Sequence, residues 1–104
     1  MSKGGVLEIK VVFKGMQSSP AIKEYAEKRS EKISKHLHKI VNCNYVFQTE
    51  KGFGITHLHV AASPFEASAE ARAENNNIYA AIDEVTDKLE QQARKHNEKV
   101  HSHT

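Results

Sequence analysis

The sequence predicts an α+β fold of order βαβββα, a four-stranded sheet with both helices packed on one face. Two observations lead there. Apolar residues alternate with polar ones near the start of the chain and again through its middle, and they recur every three or four positions in two longer stretches, one on each side of that middle. The arrangement fits one domain: 104 residues, 38% hydrophobic and 27% charged, can close a single thin core over 1–104, with 1–5 and 101–104 expected to be loose ends.

Val6 to Phe13 is the first expected strand, with Leu7, Ile9, Val11 and Phe13 on one side and Glu8 and Lys10 on the other. Lys14-Gly15 ends it. Ser18-Ser19-Pro20 is a helix start, because Ser19 can accept from free backbone N–H groups and Pro20 suits the first helical position. Ile22, Tyr25, Ala26, Ile33, Leu37 and Ile40 then describe one stripe, so the first helix is expected over residues 20–40. Cys43, Tyr45 and Phe47 alternate in a second strand that ends near Glu50-Lys51-Gly52, and Phe53 to Ala62 forms a third. Ser63-Pro64 marks a turn. Glu66 to Glu74 is read as strand although alanine is a poor strand former, because a period of two separates Ala67, Ala69, Ala71 and Ala73 from the polar residues between them. Asn75-Asn76-Asn77 breaks the chain, and Asn77 can cap a second helix with the stripe Ile78, Ala81, Ile82, Val85, Leu89, Ala93 and Val100.

Composition narrows the function classes. No stretch approaches the ~18 consecutive apolar residues of a membrane span, and Met1 to Gly5 lacks the apolar run of a signal peptide. The single Cys43 has no partner for an internal disulfide, which fits a reducing cytoplasm. The net charge of +2 hides a local sorting by sign. On the first helix Lys28, Lys32, Lys35 and Lys39 form one ridge, with Glu24, Glu27 and Glu31 beside it. On the second, Lys88, Lys95 and Lys99 form a row with Gln92, and Asp83, Asp87 and Glu90 lie round the axis near Arg94. Charged residues on a helix face usually do no more than solvate it. The functional reading is that the lysines meet the regular phosphate array of folded RNA, releasing condensed counterions. With several of the three Tyr and four Phe needed in the core and no Trp, a stacking platform for single strands is not expected.

Other chemistry finds little purchase. His57 and His59 share one strand face, and His36, His38, His101 and His103 could add ligands, but no Cys pair or HExxH helix joins them, so no metal site is expected. Cys43 falls on the buried side of its strand, Asp83 and Asp87 sit one helical turn apart on a surface, and the five glycines are scattered. Neither a catalytic residue nor a cofactor is expected. A general RNA-binding or purely structural module remains the other class.

At the second helix the sequence becomes more specific. Asn77-Ile78-Tyr79-Ala80-Ala81-Ile82-Asp83, then Asp87-Lys88-Leu89-Glu90-Gln91-Gln92 and Arg94-Lys95-His96, resembles the signature of the hibernation-promoting factor and ribosome-associated inhibitor A family, also called sigma-54 modulation proteins. Ala21-Ile22-Lys23-Glu24-Tyr25 and Lys32-Ile33 resemble the family's first helix, and Thr56-His57-Leu58-His59-Val60 its third strand. The chain stops soon after Lys99 and so resembles the short form.

The resemblance implies a bacterial factor of stationary phase and stress. It implies binding to small-subunit rRNA near the decoding centre, blocked translation and, together with ribosome modulation factor, inactive ribosome dimers. By position it implies RNA contacts for Lys23 and Lys32 on the first helix and Lys88, Lys95 and Lys99 on the second; Lys28 and Lys35 join them from the ridge argument alone. Gln91 stands where many relatives have Arg, Asn77 replaces a common Asp, and the stretch from Ala61 to Glu70 is longer than usual in the family.

Overall fold

In the computed structural model the described residues are 8–37, 39–40, 42–62 and 64–101, the last five as backbone only. The elements are β1 (Lys10–Lys14), α1 (Pro20–Ser34), β2 (Asn42–Glu50), β3 (Phe53–Ala62), β4 (Phe65–Glu74) and α2 (Ile78–His101). They form one mixed sheet in the order β1-β2-β3-β4, the α+β fold that the alternations predicted. β1 runs parallel to β2, with α1 as the crossover that a parallel pair requires; β2–β3 and β3–β4 are antiparallel.

Register explains the core. Val11, Tyr45, Leu58 and Ala69 are successive cross-strand partners, as are Phe13, Phe47, Thr56 and Ala71. Partners share a sheet face, so one side carries the apolar set and meets the helices. Ile22, Ala26 and Ile33 of α1 and Ile78, Ala81, Ile82, Val85, Leu89 and Ala93 of α2 close that core. The other face is open and holds Lys10, Val12, His57, His59, Glu66 and Glu70, with Val12 53% exposed. The alanines of β4 are explained by what covers them: α2 lies on β4 and β3, and small side chains let the helix sit close. Packing there outweighs β propensity.

Two turns set the route of the chain. Lys51 and Gly52 have φ of 53° and 85°, which makes the two-residue β2–β3 hairpin of the type that matches strand twist. Asn75 and Asn76, at φ 63° and 53°, use asparagine's tolerance of the left-handed region to swing from β4 into α2. That link passes the β2–β3 turn, where Asn76 N–H donates to the Gly52 carbonyl at 2.9 Å.

The boundaries differ from expectation in three places. Pairing in β1 starts at Lys10, although Ile9 is already buried; Leu7 and Val6 lie outside the described residues. The first helix ends at Ser34 instead of reaching residue 40. Ser34 Oγ donates to the Glu31 carbonyl at 2.7 Å, and His36 and Leu37 N–H groups reach back only three residues, which tightens and stops the helix. Leu37 and Ile40 still pack on the core, so their spacing marked burial and not helix. β4 starts at Phe65, one residue earlier than expected: Ala61 and Ala62 pair with Glu66 and Phe65, and the ladder runs on to Phe53 and Glu74. The expected loose ends fall outside the described residues, apart from the His101 backbone that closes α2.

Candidate nucleic-acid interface

The helices start from capped ends. Ser19 Oγ accepts from Ile22 N–H at 3.2 Å, and Asn77 Oδ1 accepts from Ala80 N–H at 3.1 Å. Residue numbers in the contacts between the helices rise together, from Tyr25–Asp83 to Lys32–Asp87 and His36–Glu90, so α1 and α2 run parallel. Tyr25 meets Tyr79 edge to face, with centroids 5.0 Å apart. Tyr25 OH donates to Asp83 Oδ1 at 2.6 Å, and Arg29 Nε lies 3.1 Å from the same oxygen, off the line of its own N–H. Lys32 Nζ pairs with Asp87 and stands 3.9 Å from Glu90, and His36 Nε2 is 3.5 Å from Glu90. The acidic row of α2 is therefore spent on α1. The hydrogen bond to Asp83, then burial and the Asp83 charge, raise the Tyr25 phenol above its ordinary range, against a smaller opposing effect of Arg29.

This seam rearranges the two lysine rows. Lys32 is one of its ties, with its side chain 23% exposed. Lys28 and Lys35 are exposed; Lys35 is the residue that caps α1 and keeps helical backbone angles, so seven positions apart the two share one outer flank. Lys23 is also exposed but lies about 140° round the axis from Lys28. Lys88 and Lys95 are exposed on the flank of α2 that faces away from α1. Lys88 Nζ donates to the Glu70 carbonyl of β4 at 3.0 Å and lies 3.3 Å from Glu84. Lys99 belongs to α2 by its backbone, and its side chain lies outside the described residues. The described lysine side chains thus do not make one continuous ridge. Lys28 and Lys35 share one flank of α1, Lys23 stands apart from them, Lys88 and Lys95 lie on α2 beside β4, and Lys32 ties the helices.

Two polar groups of the core, Ser30 and Tyr45, are tied to each other. Ser30 Oγ donates to the Ala26 carbonyl at 2.7 Å, so its single proton is used and Tyr45 OH donates to it at 2.6 Å. Burial holds the Tyr45 phenol well above its ordinary range and pushes the Cys43 thiol up to about 11, Ser30 partly offsetting both. Such a thiol is a poor nucleophile at neutral pH. On the open face His57 faces Glu70 at 3.7 Å and His59 faces Glu66 at 2.8 Å. Among the described residues no three His, Cys, Asp or Glu side chains converge on a metal position. No described helix is long and apolar enough to cross a membrane.

Sequence reasoning passed over two features of this surface. Arg29 sits among lysines and glutamates with nothing to single it out. Tyr79 was more legible, being an aromatic one position off the apolar stripe of α2, and it is 41% exposed.

Comparisons with known proteins identify relatives of the chain and of its fold. The family model described as Sigma 54 modulation protein / S30EA ribosomal protein matches residues 9–101. The ribosome hibernation promoting factor of Escherichia coli K12 is 28% identical over 102 residues, covering 93% of this chain and all of that one. The factor of the same name from Pseudomonas putida KT2440 is 28% identical over 98 residues, covering 92% of each. Among solved structures, the Protein Y N-terminal domain of Thermus thermophilus superposes with a TM-score of 0.78 at 21% identity, covering 86% of this chain and 98% of that one. A ribosomal subunit interface protein from Coxiella burnetii gives 0.71 at 25% identity, covering 85% and 94%. With the whole βαβββα core inside the matched span, this chain belongs to the Sigma 54 modulation protein / S30EA ribosomal protein family.

Proposed function

We propose that this chain is a cytoplasmic ribosome hibernation factor that binds the small ribosomal subunit through its rRNA near the decoding centre. Occupancy there excludes messenger and transfer RNA and silences translation, and with ribosome modulation factor it favours inactive ribosome dimers in stationary or stressed bacteria. The action needs no bond made or broken, only binding. The observation that carries the reading is the end-to-end match to a hibernation promoting factor, all of whose length this chain covers. The exposed lysines support it: Lys28 and Lys35 on α1 and Lys88 and Lys95 on α2 are cations without a core role, set on two outer flanks that a folded RNA can touch together. Lys23, on another side of α1, and Lys99 of α2 belong to the proposed contact set, and Lys32 contributes by fixing one helix to the other.

Lys35 and Lys95 are the best test positions, since both are exposed and neither lies on an apolar stripe. Lys35→Glu with Lys95→Glu should weaken binding to small subunits by at least ~2 kcal/mol and flatten its dependence on salt, because two phosphate contacts become repulsive. Glu31→Ala, an exposed acidic position on α1, should bind as the parent does. Unchanged affinity and salt slope in the double reversal would remove these flanks from the interface. Sedimentation of ribosomes with the chain, with and without ribosome modulation factor, separates dimerisation from silencing alone.

A further inference from the structure

Where α1 and α2 begin, Ala21, Glu24, Tyr25, Lys28 and Tyr79 line a cavity of about 230 Å³. That is below the ~300–1,000 Å³ of pockets that enclose drug-sized ligands, and on the scale of one planar ring system. Its aromatic wall is an exception among the tyrosines, because Tyr45 is buried while Tyr79 is 41% exposed. The wall is also held still: Tyr25 is fixed by its hydroxyl to Asp83 and stands edge-on to Tyr79. On the α1 side Glu24 and Lys28 are both exposed and one helical turn apart, ~5–6 Å between Cβ atoms.

We propose that this cavity takes a single unpaired guanine of a folded RNA, stacked on Tyr79 and read by Glu24 and Lys28. The inference rests on the reading of the chain as an RNA-binding factor and adds a base-specific contact to its phosphate contacts. The chemistry selects the base. A carboxylate only accepts and an ammonium only donates, so the ligand must present donors and acceptors on neighbouring edges. Guanine answers both groups twice: N1–H and N2–H₂ face the two carboxylate oxygens, and O6 and N7 face the ammonium. Adenine offers the carboxylate only its N6 amine, cytosine only its N4 amine, and uracil one N–H between two carbonyls. Stacking on an exposed tyrosine is indifferent to base identity, so the two charged groups alone carry the preference.

The test is an NMR titration of the full chain with guanosine 5′-monophosphate, and with the adenosine, cytidine and uridine monophosphates and inorganic phosphate as comparisons. The guanine nucleotide should shift the signals of residues 21–28 and 79, with the other three weaker by about fivefold or more. Tyr79→Ala should weaken binding by about fivefold, the scale of one lost stack, and Glu24→Gln should abolish the preference while leaving weak binding. Equal shifts from all four nucleotides, or the same shifts from phosphate alone, would overturn the proposal. The reading it rests on is measured separately. Nucleotide binding in a chain that fails to bind small subunits would sink the ribosome reading and leave the pocket. Subunit binding unchanged by Tyr79→Ala, with no nucleotide response, would sink the pocket and leave the reading.

Discussion

The Tyr25 hydroxyl donates to Asp83 Oδ1 at 2.6 Å, joining α1 to α2 at a carboxylate that also faces Arg29. The pair matters because the two lysine groups sit on outer flanks of separate helices, and only the seam between those helices fixes their spacing. A loose seam would let the two groups move independently and dilute any joint recognition of RNA.

Asp83→Ala should cost ~1 kcal/mol of stability, one hydrogen bond to a half-exposed charged group, discounted for solvent. It should also let Tyr25 titrate closer to its ordinary value, since the bond to Asp83 is the first cause of its raised pKa. The sign follows from linkage. A phenol with its folded pKa raised adds stability that is whole below the unfolded value of about 10 and is lost as pH rises through the folded value. Urea unfolding of parent and variant should therefore differ by a constant amount up to about pH 9 and converge above pH 10. A gap that stays constant through pH 11 would mean that the Tyr25–Asp83 bond contributes nothing.

Gly54 and Gly52 should lose stability to very different extents on gaining a side chain. A Cβ at Gly54 would stand 2.9 Å from Asn76 C and from Asn77 N and C, all backbone atoms of the link into α2. Gly54→Ala should cost ~1–3 kcal/mol, because that link cannot yield without moving the Asn77 cap. Gly52 has open space around it and φ of 85°, a turn position that asparagine tolerates. Gly52→Asn should cost well under ~1 kcal/mol, and thermal melts of the two variants compare them directly. Similar losses at both positions would show that crowding at Gly54 is not the deciding effect.

The elements were legible because their cues are local. Alternation at Cys43 to Phe47, the Lys51-Gly52 turn and the Ser19 and Asn77 caps each act within a few residues, and each stands where the sequence put it. The end of α1 was not legible, because Leu37 and Ile40 satisfy helical spacing while packing on the core from the connection to β2. Helical spacing put Lys28, Lys88 and Lys95 at exposed positions, but Lys39 lies past the end of α1, and the relation between the two helices was not legible. Sequence gives angles about a helix and no angle between helices, so nothing in the row Lys28, Lys32, Lys35 says that Lys32 alone turns toward Asp87. The exposed Tyr25–Tyr79 corner stayed hidden for the same reason, since aromatic residues in a small chain are first assigned to its core.

Thr56 offers a sharper test of the core. Its side chain is fully buried on the helix-facing side of β3, between Phe47 and Ala71, and its Oγ1 has no hydrogen-bond partner among the described residues. A hydroxyl shut away from water without a partner costs ~1–3 kcal/mol, whereas an apolar group of the same shape costs nothing of the kind. Valine has that shape and keeps the β-branching that suits a strand. Thr56→Val should therefore stabilise the chain by ~1 kcal/mol, raising the thermal midpoint by roughly 4 °C. Thr56→Ser, which keeps the hydroxyl and loses the methyl, should destabilise it by a similar amount. Binding to small subunits should not change in either variant, because position 56 points into the core and away from Lys35 and Lys95. If Thr56→Val lowers the midpoint while Thr56→Ser holds it, the hydroxyl has a partner in solution, and this part of the core is held by a polar contact, not by packing.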